Sequence, residues 1–91
     1  MQNLKISTYN LYQNTSPDPD VMALSFVESH DDIAYCKAAV DRKPHYSRKS
    51  YIIIKTVFQG EAELIAQRVW YAYKKGSFKV YDQSKQVEFS G

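Results

Sequence analysis

The sequence predicts a small α+β domain over residues 1–91, with a mixed or antiparallel sheet of four to five strands and a helix at 30–43. Three observations carry this. Tyr51-Ile52-Ile53-Ile54-Lys55-Thr56-Val57-Phe58 is densely β-branched and apolar at both parities, the pattern of a central strand covered on both sides for part of its length. Ile33, Cys36 and Val40 recur at helical spacing, with Ala34, Ala38 and Ala39 as strong helix formers between them. Val69-Trp70-Tyr71-Ala72-Tyr73 and Phe78-Lys79-Val80-Tyr81 flank the turn formers Lys74-Lys75-Gly76-Ser77, the layout of a hairpin. At 91 residues there is room for one modest core and no second domain.

Along the chain, Leu4 to Tyr12 alternates weakly and suits a first strand. Asn14 to Asp20 holds two prolines and several turn formers, and so reads as a loop. Val21 to Glu28 is expected as a second strand, with Met22, Leu24 and Phe26 on one face. Ser29-His30-Asp31-Asp32 then reads as a helix start, Ser29 capping free N–H groups and the acids sitting at the positive end of the dipole. Pro44 ends the helix and a basic loop, Arg42 to Ser50, follows. Residues 61–75 admit two readings. As a helix, over 61–68 or longer, Ala62, Ile65, Ala66, Val69 and Tyr73 form one stripe; as a strand, the aromatic part pairs in the hairpin. A mixed outcome, helix or turn first and hairpin after, satisfies both patterns. Gln86 to Phe89 is expected as a short edge strand.

The composition, 44% hydrophobic and 24% charged, is that of a folded chain in water, and no apolar run approaches the ~18 residues a membrane span needs. Met1 to Ser7 lacks the apolar core of a signal peptide, so a cytoplasmic location, in its own or a host cell, is expected. Cys36 is the only cysteine, which rules out an internal disulfide and a cysteine-based metal cluster. Charge is unevenly spread: residues 1–32 sum to −4, residues 33–59 to +5 and the remainder to +1, for a net of +2. Eight tyrosines, each an apolar ring with a hydrogen-bonding tip, suit contact surfaces as well as wet-edged cores.

Groups that could carry chemistry are few. Cys36 with His30 or His45 would make a thiolate and base, but Cys36 lies on the apolar stripe, where a thiol is inert. His30, Asp31 and Asp32 with Asp18 and Asp20 are metal-ligand types at spacings that match neither an EF-hand loop nor a His-x-x-x-His pair, and read more simply as helix-start and turn chemistry. Gly60, Gly76 and Gly91 are isolated, so no phosphate loop exists. No catalytic residue, metal or cofactor is therefore assigned.

Binding residues are easier to nominate. Arg42, Lys43, His45, Tyr46, Arg48 and Lys49 place four permanent charges and an imidazole in eight positions beside a tyrosine. On a hairpin Trp70 faces opposite to Tyr71, so at most part of the Trp70, Tyr71, Tyr73, Phe78 and Tyr81 group goes to the core, and Tyr71, Lys74, Lys75 and Lys79 would add an aromatic and cationic surface. Such a set docks an acidic protein surface or grips single-stranded nucleic acid; alternatively it is a solvated loop that keeps the chain soluble. The function expected is a non-enzymatic protein-interaction module, an inhibitor, adaptor or regulatory subunit, acting alone or as a homodimer. A small single-stranded nucleic-acid binder is the alternative, weakened by a net charge of only +2.

Overall fold

In the computed structural model, which describes residues 4–18 and 20–81, the β-branched run becomes the middle of an antiparallel sheet. The strands are β1 (Lys5–Asn14), β2 (Leu24–His30), β3 (Tyr51–Gln59), β4 (Ala62–Glu63), β5 (Val69–Lys74) and β6 (Ser77–Tyr81). The helices are α1 (Ile33–Asp41) and the single turn α2 (His45–Arg48). The strand order is β2-β1-β3-β5-β6, with β4 also paired to β3. Every ladder among the described residues is antiparallel, the second of the two arrangements the sequence allowed.

Directly opposed residues share a face, so the registers define two sides of the sheet. The β1–β3 ladder sets Leu11 against Ile53 and Tyr9 against Lys55; β5 adds Tyr71 opposite Ile53. This inner face receives α1. Cys36, Ala39 and Val40 are buried against Leu11, Tyr51 and Ile53, and Ile33, Tyr9, Tyr71, Tyr73 and Phe78 close the margin. Four side chains at the centre, Leu11, Ile53, Val40 and Cys36, are fully buried. The expected stripe of Ile33, Cys36 and Val40 is the docking stripe, joined by Ala39, whose short side chain lets the helix approach the strands.

Several boundaries differ from expectation. The helix begins at Ile33 rather than His30, because Ser29 and His30 are still paired with Asn10 and Tyr9; Asp32, not Ser29, caps it, its carboxylate accepting from the Ala34 N–H at 2.9 Å. The helix ends at Asp41 rather than Lys43. β1 runs two residues past Tyr12, to Asn14. β2 starts at Leu24 instead of Val21, because the Asn14 carbonyl Oδ1 accepts from Ser16 N and Ala23 N and closes the connection before pairing resumes. The helical reading of 61–75 survives only as a 3-10 turn, Ile65–Gln67. A positive φ of 63° at Gly60 turns the chain back so that Glu63 pairs with Phe58, and the Arg68 guanidinium donates to Glu63 Oε2 at 2.8 and 2.9 Å across the excursion. The second α-helix falls instead at His45–Arg48, inside the segment expected as loop. The expected edge strand at Gln86 to Phe89 lies outside the described residues.

The hairpin of Val69–Lys74 with Ser77–Tyr81 forms as expected, from Trp70 opposite Tyr81 to Lys74 opposite Ser77. Its two central residues both have positive φ, 51° at Lys75 and 88° at Gly76, the backbone that matches the twist of the flanking strands. Open space surrounds Gly76, so conformation alone demands glycine there. A lysine at positive φ is strained where asparagine is not. A further irregularity lies on the edge: Leu11 pairs with Glu28 but Tyr12 with Phe26, so Val27 is a bulge without an opposite residue.

Two outcomes test this architecture. Lys75→Asn is expected to raise stability by about 0.5–1 kcal/mol through relief of the turn strain, read from the denaturant midpoint; a lower midpoint would contradict the turn. Val40→Asp places an unpaired charge at a fully buried position and is expected to abolish cooperative unfolding, since a domain of this size has only about 5–10 kcal/mol to lose.

Candidate functional site

The basic segment is folded back on the end of α1. Pro44 stops the helix, and the Arg48 side chain donates from Nη2 to the Asp41 carbonyl at 2.7 Å and from Nε to the Lys43 carbonyl at 2.9 Å. These bonds occupy carbonyls that the last helical turn leaves without an intrahelical donor. Ser47 Oγ donates to the Pro44 carbonyl and Ser50 Oγ to the Ser47 carbonyl, which holds α2 as one closed turn. Arg48 is thus half-buried and structural, unlike the surface cation expected from the sequence. Lys43 is also half-buried, with Nζ 5.9 Å from the centre of the Tyr51 ring. Arg42, His45 and Lys49 are exposed, and Tyr46 is 81% exposed, a large ring held in water on a rigid turn.

Topology brings a second set of cations to the same end. Ile52 pairs with Ala72, so Lys49 and Ser50, just before β3, lie at the end of the sheet where β5 runs into Lys74 and the Lys75-Gly76 turn. Lys74 and Lys75 are exposed there. The other hairpin residues divide between the faces: Tyr71 is half-buried on the inner face, against the core, whereas Lys79, opposite Ala72, lies on the outer face and donates to Ser77 Oγ at 3.0 Å. Tyr71 and Lys79 therefore do not form one surface. Trp70, on the outer face with Lys79, is the aromatic that shares its side. The β1–β2 connection reaches the same end through the Asn14 N–H, which donates to the Ser50 carbonyl at 2.7 Å, and it carries exposed Asp18 and Asp20. The end is rich in cations but of mixed sign.

Of the groups considered for catalysis, His45 lies in the basic segment on α2, beside Arg48, whereas Cys36 on α1 and His30 on β2 lie away from it. The Cys36 thiol is fully buried and donates to the Tyr9 carbonyl at 3.4 Å. Burial, and secondarily the nearby Glu28 charge, raises its pKa from 9.0 to about 11, so it is a thiol and not a thiolate at neutral pH. His30 Nε2 is 2.6 Å from Glu28 Oε1, and its ring lies 5.4 Å from that of Tyr35. Imidazole and thiol are each committed to other partners. No group of three or more His, Cys, Asp or Glu side chains is arranged to hold a metal ion among the described residues, and no helix among them is long and apolar enough to cross a membrane.

The outer face of the sheet is apolar as well. There Ile6, Tyr12, Phe26, Ile52, Phe58 and Trp70 come together from four strands. Ile52 and Ile54 on this face are buried like Tyr51 and Ile53 on the other, so β3 is covered on both sides over the first part of its length, as its composition predicts.

Replacing Cys36 by alanine is expected to cost about 1–2 kcal/mol below pH 9, for a small cavity in a tight core. A thiol with a raised folded-state pKa contributes stability that is fully present below the unfolded value and is lost as pH rises from about 9 toward 11. The deficit of Cys36→Ala should therefore shrink by about 1 kcal/mol on going to pH 10, measured as paired unfolding curves. A deficit independent of pH would mean that the thiol is not buried.

No protein-family model, no curated protein and no solved structure matches this chain.

Proposed function

We propose that this chain is a non-enzymatic protein-interaction module, an inhibitor, adaptor or regulatory subunit, that docks an acidic protein surface on the basic end of its sheet. The observation that supports this reading is that Lys49, just before β3, and Lys74 and Lys75, where β5 ends, fall at one end of the sheet although far apart in sequence, with exposed Arg42 and Tyr46 on the segment that leads into β3. Interface energy concentrates in aromatic and arginine anchors, while surrounding charges steer the encounter and fix its register. Tyr46 on a closed, hydrogen-bonded turn supplies such an anchor at low entropic cost. Cys36, sealed and protonated, and His30, held by Glu28, favour a binding role over covalent catalysis.

A protein partner fits this end better than a nucleic acid. Asp18 and Asp20 border the cations, and a continuous run of phosphates would meet them. A protein surface carries both signs and can match both.

The test uses the full chain as bait in a lysate of its native cell. Arg42→Glu, Lys49→Glu, Lys74→Glu and Lys75→Glu together are expected to leave the fold intact and weaken capture of the partner by tenfold or more, an effect largest at low salt. Tyr46→Ala alone should give a comparable loss without any cost in stability. Arg48→Glu, in contrast, should lower stability by about 1–3 kcal/mol because it strips bonds from the end of α1. Capture that survives the fourfold change refutes the reading, and capture abolished by nuclease shows that the partner is nucleic acid.

A further inference from the structure

The turn of the β5–β6 hairpin holds a residue that its backbone disfavours. Among the described residues Lys75 alone, glycines apart, has a positive φ, 51°, and Gly76 follows it at 88°. Both central positions of the two-residue turn between Lys74 and Ser77 are therefore left-handed. That region crowds a β-carbon against the following carbonyl oxygen; asparagine tolerates it and glycine has no β-carbon to crowd, so Asn-Gly is the favoured pair. Lysine at the first position gains the fold nothing in exchange. It is exposed, and its ammonium makes no hydrogen bond or ion pair with a described residue. Nearby cations are occupied within the fold: Arg48 holds the Asp41 and Lys43 carbonyls, Lys43 lies over the Tyr51 ring, and Lys79 donates to Ser77 Oγ.

We propose that Lys75 is a binding residue, its ammonium pairing with a carboxylate of the partner protein, and that the strained turn is retained for this contact. The contact belongs to the basic end and rests on the reading of that end as a docking site for an acidic protein surface. It singles out the one cation there that the backbone disfavours and the fold does not use. Strained backbone conformations cluster at ligand-binding positions, where the side chain acts on something outside the fold. Location agrees with this. Ile52 pairs with Ala72, so the turn that follows β5 lies at the end of the sheet where Lys49 leads into β3. Pairing that continues to Lys74 and Ser77 leaves the turn backbone little freedom, so binding orders only the lysine side chain. A compact ammonium on a flexible stem meets a single carboxylate without the planar alignment an arginine requires.

Two readouts on one variant decide it. Lys75→Asn relieves the turn and removes the charge, so it should unfold at a higher denaturant midpoint and yet bind less well. The probe is a fluorescein-labelled peptide of alternating glutamate and serine, followed by anisotropy. At about 20 mM salt Lys75→Asn should bind it about fivefold more weakly than the parent, the gap closing at about 0.5 M. Lys5→Asn makes the same charge change at the far end of β1, opposite Gln59, and should bind the peptide as the parent does. A midpoint that does not rise, peptide binding unchanged in Lys75→Asn, or an equal loss in Lys5→Asn overturns the proposal. Glutamate at Arg42, Lys49, Lys74 and Lys75 together separates this contact from the site around it. If that fourfold variant loses the peptide while Lys75→Asn keeps it, the basic end stands and Lys75 is not its contact; if the fourfold variant keeps the peptide, both fall. A single-stranded oligonucleotide bound more tightly than the peptide, with the same dependence on Lys75, gives the contact to phosphate and overturns the carboxylate assignment.

Discussion

Everything in this fold depends on one contact, the seating of α1 on the paired strands β1 and β3. Val40, Cys36 and Ala39 meet Leu11 and Ile53 there, and these are nearly all the side chains removed completely from water. The long β1–β3 ladder, nine paired positions from Lys5 to Gln13, provides the surface against which a nine-residue helix can bury its stripe. Neither partner is stable alone: an isolated helix of that length is marginal, and a lone pair of strands has no core. The remaining elements are peripheral. β2 and the β5–β6 hairpin extend the sheet on either side, and the basic turn is fastened to the same helix by Arg48.

That dependence explains what could be read from the sequence. Elements with a strong period were recoverable: the Ile33, Cys36, Val40 stripe, the Tyr51–Phe58 run and the aromatic hairpin all lie where their patterns placed them. Ends were not, because they are decided by partners distant in sequence. His30 reads as part of a helix start, but Tyr9 across the ladder keeps it in the strand, and capping passes to Asp32. Likewise 61–68 has a helical stripe that yields once Gly60 returns the chain along β3, since strand pairing to an existing edge outweighs an isolated turn of helix.

The binding surface was legible in its residue types and not in its arrangement. A run such as Arg42 to Lys49 shows its charge density directly, yet nothing local reveals that Arg48 turns inward to the carbonyls of α1 while Tyr46 turns out. The grouping of Lys74 and Lys75 with Lys49 follows from strand order alone, because β3 begins where β5 ends. The burial of Tyr51 to Ile54, by contrast, was legible in composition alone: a run that is apolar at both parities suits a strand covered on both sides, and all four of these residues are buried.

The bulge at Val27 has a bearing on how readily the edge of the sheet can take on further strands. β2 is an edge strand, and a regular edge of seven residues invites further strands to add one after another into fibres. Val27 divides it into stretches of three, Leu24 to Phe26 and Glu28 to His30, between which the spacing of backbone donors and acceptors is broken. An incoming strand can match one stretch or the other but not both. Growth along the hydrogen-bonding direction is thereby discouraged at that edge.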